Sequence, residues 1–142
     1  MISFQTINVD SPSIDSSLIT SWVKNVAMDY GFRLGDVSYI FVDDAEILRV
    51  NRQFLDHDYY TDIITFDYSS GSVISGDLFI SLDTVRTNAE GLGVAYDQEL
   101  LRVIIHGILH LCGLKDKGPG ERAQMEAAED LALAKLSSLP PK

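Results

Sequence analysis

Apolar residues recur along the chain with a period that changes from segment to segment, and the changes mark its elements. Ile2 to Val9 opens as a short strand. Ile14, Leu18, Trp22, Val26 and Tyr30 then recur every four residues, which puts them on one face of a helix that Gly31 can end. Val37 to Val42 is apolar and β-branched enough for a strand, and Asp43 or Asp44 caps a helix running to about Leu55 through Ile47, Val50 and Phe54. Asp62 to Tyr68 and Asp77 to Leu82 read as two strands joined by the turn-rich Ser69-Ser70-Gly71-Ser72. A short helix from Asp83 to about Gly91 follows.

From Asp97 to Gly113 the pattern changes again. Leu100, Leu101, Val103, Ile104, Ile105, Ile108, Leu109, Leu111 and Cys112 cover nearly the whole circumference of a helix, and such a helix belongs in the interior. Gly120 to Leu136 predicts a last helix, stopped by Pro140-Pro141-Lys142. No repeat, low-complexity tract or Pro/Gly-rich linker divides the chain, so residues 1–142 are expected to form a single domain. The order of strands and helices predicts an α+β, α/β-like fold with a small mixed sheet.

The buried helix carries two histidines, His106 and His110, one turn apart on one face, where both rings can reach a single metal. Imidazoles on an otherwise apolar helix need coordination or hydrogen bonds. Gly113 supplies the left-handed residue that commonly ends a helix, so the chain can turn back and present Asp116. The pattern His106-x3-His110-x5-Asp116 is a three-ligand set suited to Zn²⁺ with a fourth position open, as in catalytic sites. An incidental pair of helix histidines is the competing reading. Cys112 falls on a different face and reads as core. The spacing is similar to that of metzincin proteases, but their general-base Glu is replaced by Gly107, which disfavours peptide hydrolysis by that mechanism.

Charge narrows the choice of partner. With 21 acidic and 11 Lys or Arg residues the formal net charge is -10, which argues against a broad basic surface for DNA or RNA. It leaves room for a local, metal-assisted site, with weak and salt-sensitive affinity for free RNA. The opening MISFQTINVD lacks the pattern of a signal peptide, and Val103 to Leu114 is too short to span a bilayer. One cysteine excludes an internal disulfide and fits a reducing compartment. A cytoplasmic protein with no membrane partner is expected.

Read as a whole, His106-Gly107-Ile108-Leu109-His110-Leu111-Cys112-Gly113-Leu114-Lys115-Asp116 resembles the signature His-Gly-x-Leu-His-Leu-x-Gly-Tyr-Asp-His of the YbeY family of bacterial metal-dependent endoribonucleases. Asn51 followed by Thr61-Asp62-Ile63-Ile64-Thr65-Phe66 is similar to the family's Asn and Pro-Thr-Asp-Val-Leu-Ser-Phe, and Gly76-Asp77-Leu78 to its Gly-Asp-Ile. Met125 and Glu129 match a Met-x3-Glu in its last helix. The resemblance implies a mixed four-stranded sheet packed with about five helices and one Zn²⁺ in a cleft. It further implies a single-strand-specific, zinc-dependent endoribonuclease that matures the 3′ end of 16S ribosomal RNA and serves ribosome quality control. Its partners would be ribosomal RNA, ribosomal particles or ribosomal proteins, with no DNA.

Two departures stand out. The third ligand, usually His, is Asp116, which lowers the charge of a metal centre by one unit. The family's arginine before the Thr-Asp strand falls on Leu55, so its role in the RNA chemistry cannot be carried over. Arg52 or His57 could substitute, or be solvated side chains. Lys115 and Lys117, with Arg122 soon after, are candidates for phosphate contacts or a basic cluster offsetting a helix-end dipole. Tyr59, Tyr60, Phe66 and Tyr68 are candidates for base stacking or packing. Asp62 and Asp77 read as strand-end carboxylates without a catalytic role. His106, His110 and Asp116 are therefore expected to act in catalysis through the metal, which activates water or grips a phosphate oxygen. The alternatives are a metal-stabilised ribosome-assembly factor with weak or no nuclease activity and a metal-dependent hydrolase of another substrate.

Overall fold

The computed structural model describes residues 1–55 and 61–138. Its elements are β1 (Ile2–Ile7), α1 (Ser16–Asp29), β2 (Arg33–Val42), α2 (Asp44–Phe54), β3 (Ile63–Asp67), β4 (Val73–Ser81), α3 (Leu82–Leu92), α4 (Tyr96–Leu111) and α5 (Glu121–Ser138). The four strands form one mixed sheet in the order β1-β2-β4-β3, with β1 and β4 parallel to β2 and β3 antiparallel to β4. The expected α+β fold is present, five helices on a four-stranded mixed sheet. None of the helices among the described residues is long and apolar enough to cross a membrane.

The sheet is covered on both faces, which is why the centre of β2 reads as a near-continuous apolar run. Val37, Tyr39 and Phe41 alternate onto the face that packs against α1, α3, α4 and α5, while Ile40 and Val42 point to a smaller cluster with Ile47 and Val50 of α2 and Ile64 of β3. Two buried hydrogen bonds tie this main layer together. The Tyr39 hydroxyl donates to the Ile104 carbonyl at 2.9 Å, and the Trp22 indole donates to the Ala132 carbonyl at 2.7 Å. Each polar group finds a partner where an unpaired one would be costly.

The helices keep close to the lengths that periodicity predicts. Asp15 caps α1 by accepting from the Leu18 amide, and Asp43 rather than Asp44 caps α2 by accepting from the Glu46 amide. Two strands start earlier than their apolar runs: β2 at Arg33, and β4 at Val73 through Ser75 and Gly76. Ser70 and Val73 exchange backbone hydrogen bonds around Gly71-Ser72, so the hairpin turn is tighter than composition suggests. Helix α4 reaches the sheet closely at Gly107. A Cβ there would lie 2.9 Å from Ile63 Cδ1 and 3.1 Å from Leu78 Cδ1. The residue after His106 therefore faces the sheet, not the cleft described below.

Candidate metal centre and its cleft

From Leu100 to its end, helix α4 is apolar except along one stripe, where Arg102, His106 and His110 follow at four-residue intervals. Its C-terminus turns sharply: the Gly113 amide bonds the His110 carbonyl at 2.9 Å and the Leu114 amide bonds the Leu109 carbonyl at 3.0 Å, with Gly113 at φ +100. This is a Schellman closure, which glycine adopts without a side-chain penalty. It swings the next segment back along the helix. The Leu114 carbonyl accepts from His110 Nδ1 at 2.9 Å, and Asp116 Oδ2 comes within 3.3 Å of His106 Nε2 and 3.5 Å of His110 Nε2.

The other nitrogen of His106 is also engaged. Its Nδ1 lies 2.6 Å from Glu129 Oε2 on α5, whose Oε1 accepts from Arg102 Nη1 at 2.8 Å. Both rings thus keep Nε2 for the cavity, and they stand nearly perpendicular at 82° with centroids 4.6 Å apart. One donor atom each from His106, His110 and Asp116 lies within 4.8 Å of the others. A tetrahedral ion with ligands at about 2.0–2.1 Å separates them by about 3.3 Å, so the donor set and spacing fit Zn²⁺ or a similar divalent ion. The side chains are 18%, 29% and 18% exposed, open enough for a ligand to approach.

The site opens into a cleft of about 430 Å³ between the histidines and a far wall that includes Asn51, Leu55, Thr61, Thr65 and Asp67. A second cleft of about 450 Å³ meets it at Asp62, His106 and Asp116 and runs towards Arg102, Arg122 and Glu126. Burial, the strongest influence, pushes the Asp62 carboxyl up, against the pull of His106. His106 feels burial most, which lowers its pKa, but the hydrogen bond and charge of Glu129, then Asp116 and Asp62, outweigh it and the net shift is upward.

Lys117 lines the first cleft, as does Leu55 at the position where an arginine would stand in the YbeY pattern. Lys115 is exposed outside that lining, and Arg52 sits in the last turn of α2, also outside it. His57, Tyr59 and Tyr60 lie outside the described residues. Phe66 packs edge-on between Phe54 and Phe79, whereas Tyr68 is exposed and donates to Asp77 at 3.3 Å, away from the cleft. Asp62 sits beside the histidines, a position not legible from its place at a strand end. Cys112 is buried, with its thiol pushed up to about 11 by burial. Arg102 and Glu129 were not singled out for the site by pattern, although an acidic residue in the stripe Met125, Ala128, Glu129, Ala132 is a legible anomaly.

Comparisons with known proteins identify the family. The family model described as Endoribonuclease YbeY matches residues 3–137. A Bacteroides thetaiotaomicron protein named Endoribonuclease YbeY is 65% identical over 133 residues, covering 94% of this chain and 97% of that protein. One of the same name from Parabacteroides distasonis is 60% identical over 135 residues, covering 95% of each. The solution structure of a Thermotoga maritima protein superposes with a TM-score of 0.64 at 26% identity, covering 99% of this chain and 94% of that one. With a family match over nearly the whole length and relatives this similar, the chain belongs to the YbeY family.

Proposed function

We propose that this protein is a zinc-dependent, single-strand-specific endoribonuclease of the cytoplasm that acts in ribosomal RNA processing, including maturation of the 16S 3′ end, and in ribosome quality control. The activity named for its relatives supports the reading. The observation that carries it is the convergence of His106 Nε2, His110 Nε2 and Asp116 Oδ2 at the floor of an open cleft. A divalent ion bound there supplies Lewis acidity to a phosphodiester. His106 and His110 present lone pairs whose direction is set by the hydrogen bonds at Nδ1, and Asp116 contributes the single negative charge of the set. Lys117 offers an ammonium at the cleft for a phosphate oxygen, while Lys115, Arg52 and His57 are further candidates for substrate contact.

Metal analysis of the purified chain, followed by incubation with single-stranded ribosomal RNA fragments, tests the reading. One zinc per chain is expected, together with cleavage that disappears along with the metal in His110→Ala. Undiminished cleavage by a His110→Ala protein that has lost its zinc overturns it.

Leu55 favours a second reading, an assembly factor with weak or no nuclease activity, because an apolar residue lines the cleft where the family pattern has a cation. Metal-dependent binding of isolated ribosomal particles without RNA cleavage supports that alternative.

A further inference from the structure

We propose that Glu129, clamped by Arg102, is a positioning residue that presets His106 for the metal, so that α5 completes a site to which it supplies no ligand. This rests on the reading of His106 as a ligand. Glu129 is 5% exposed, and a carboxylate so buried requires partners for both oxygens. It has them: Oε2 meets His106 Nδ1 at 2.6 Å and Oε1 meets Arg102 Nη1 at 2.8 Å. The other arm of Arg102 reaches Asp130 Oδ1 at 2.9 Å. With its Nδ1 proton donated to Glu129, His106 keeps the Nε2 lone pair towards Asp116, the arrangement in which an outer carboxylate fixes the tautomer and ring plane of a metal-binding histidine.

The two histidines differ in how they are set. His110 is held by the Leu114 carbonyl in the turn that ends its own helix, whereas His106 is held from another helix. That difference predicts selective damage. In Glu129→Gln one of the two oxygens that Arg102 and His106 occupy separately becomes an NH₂, which cannot accept from either, and turned to His106 it would favour the wrong tautomer. A plain structural ion pair at this place would alter melting and leave the ring and the metal alone.

The test uses the full chain in metal-free and zinc-loaded forms, with Glu129→Gln, Glu129→Ala and Arg102→Gln. Zinc affinity is read by competition with a chromophoric chelator. Ring tautomers are read from imidazole ¹⁵N shifts of the neutral rings in the metal-free protein, followed along a pH series. The metal-free wild type should show His106 as the Nδ1–H tautomer. Glu129→Gln should bind zinc about 10–100-fold more weakly and give His106 a mixture of tautomers while His110 keeps its own. Arg102→Gln should weaken zinc binding less. An Nε2–H tautomer of His106 in the wild type overturns the proposal without any variant, as does Glu129→Gln with affinity within about twofold of wild type and an unchanged His106 tautomer. None of these readouts is RNA cleavage, so an inactive wild type would sink the proposed function and leave this test standing.

Discussion

The two walls of the cleft are built in opposite ways. On one wall, α4 and the turn after it carry His106, His110 and Asp116, with the His106 ring held at Nδ1 by Glu129 of α5 and the His110 ring by the Leu114 carbonyl. On the other, the end of α2 and the edge strand β3 present Leu55, Thr61 and Thr65, with Phe54 58% and Leu55 40% exposed. The histidine wall rests directly on the sheet, since Gly107 lets α4 approach Ile63 and Leu78. Chemistry that needs fixed donor atoms belongs on the rigid wall, and the far wall can change with little penalty to the fold. The arginine-to-leucine departure lies on that far wall, and the histidine-to-aspartate departure keeps a candidate ligand on the near one.

The largest break in this contrast should come from Gly107→Glu. A side chain there meets Ile63 and Leu78, and a buried carboxylate has no partner, so destabilisation above about 4 kcal/mol is expected in chemical denaturation. A stable Gly107→Glu protein that cleaves peptides would mean position 107 faces the cleft, against the packing described. Next comes Asp116→Ala, expected to lower zinc affinity in calorimetry by more than the roughly 10–100-fold typical of losing a ligand's supporting partner. Asp116→His should retain binding, because it restores a third donor.

A pH series sharpens the comparison with a smaller effect. In the metal-free chain the folded pKa of His106 lies above the ordinary 6.5. A raised folded value stabilises the fold fully below the unfolded pKa, and that stabilisation is lost as pH rises through the folded value. Zinc requires the neutral ring, so its binding strengthens over the same interval. The gap in melting temperature between zinc-loaded and metal-free protein should therefore widen as pH rises through neutrality, and a constant gap would contradict the assignment. Smallest for the fold is Leu55→Arg, expected to shift stability by less than about 0.5 kcal/mol. If it faces bound RNA, it should steepen the salt dependence of binding by about one unit of log slope, as one added phosphate contact does. An unchanged slope would separate Leu55 from the substrate path.

Much of the near wall was legible because its determinants are local. His106 and His110 share a helix face by spacing alone, and Gly113 announces the reversal that brings Asp116 back. Glu129 was visible as a match to the family's last helix, but its pairing was hidden for the opposite reason: Arg102 and Glu129 are 27 residues apart and meet only when α5 docks on α4. Asp62 looked like a turn cap because its strand-end position is visible, whereas its place at the junction of two clefts depends on where β3 joins the sheet. The early start of β4 was hidden by Ser75 and Gly76, which break apolar alternation: Gly76 pairs with Asp67 of β3 and Val37 of β2, and Ser75 falls at the irregularity in the β2–β4 register.

By itself the sequence determined the helices, the apolar runs of a sheet buried on both faces, the spacing of three candidate ligands and the glycine that turns the chain between the second and third. These follow from periodicity and backbone preference within a few residues. Only the tertiary structure decided that β3 enters antiparallel at the sheet edge to form the far wall, that Gly107 is the contact between helix and sheet, and that Glu129 reaches His106. Those features depend on which distant surfaces exclude water together, and burial between separate elements leaves only a faint trace in local pattern.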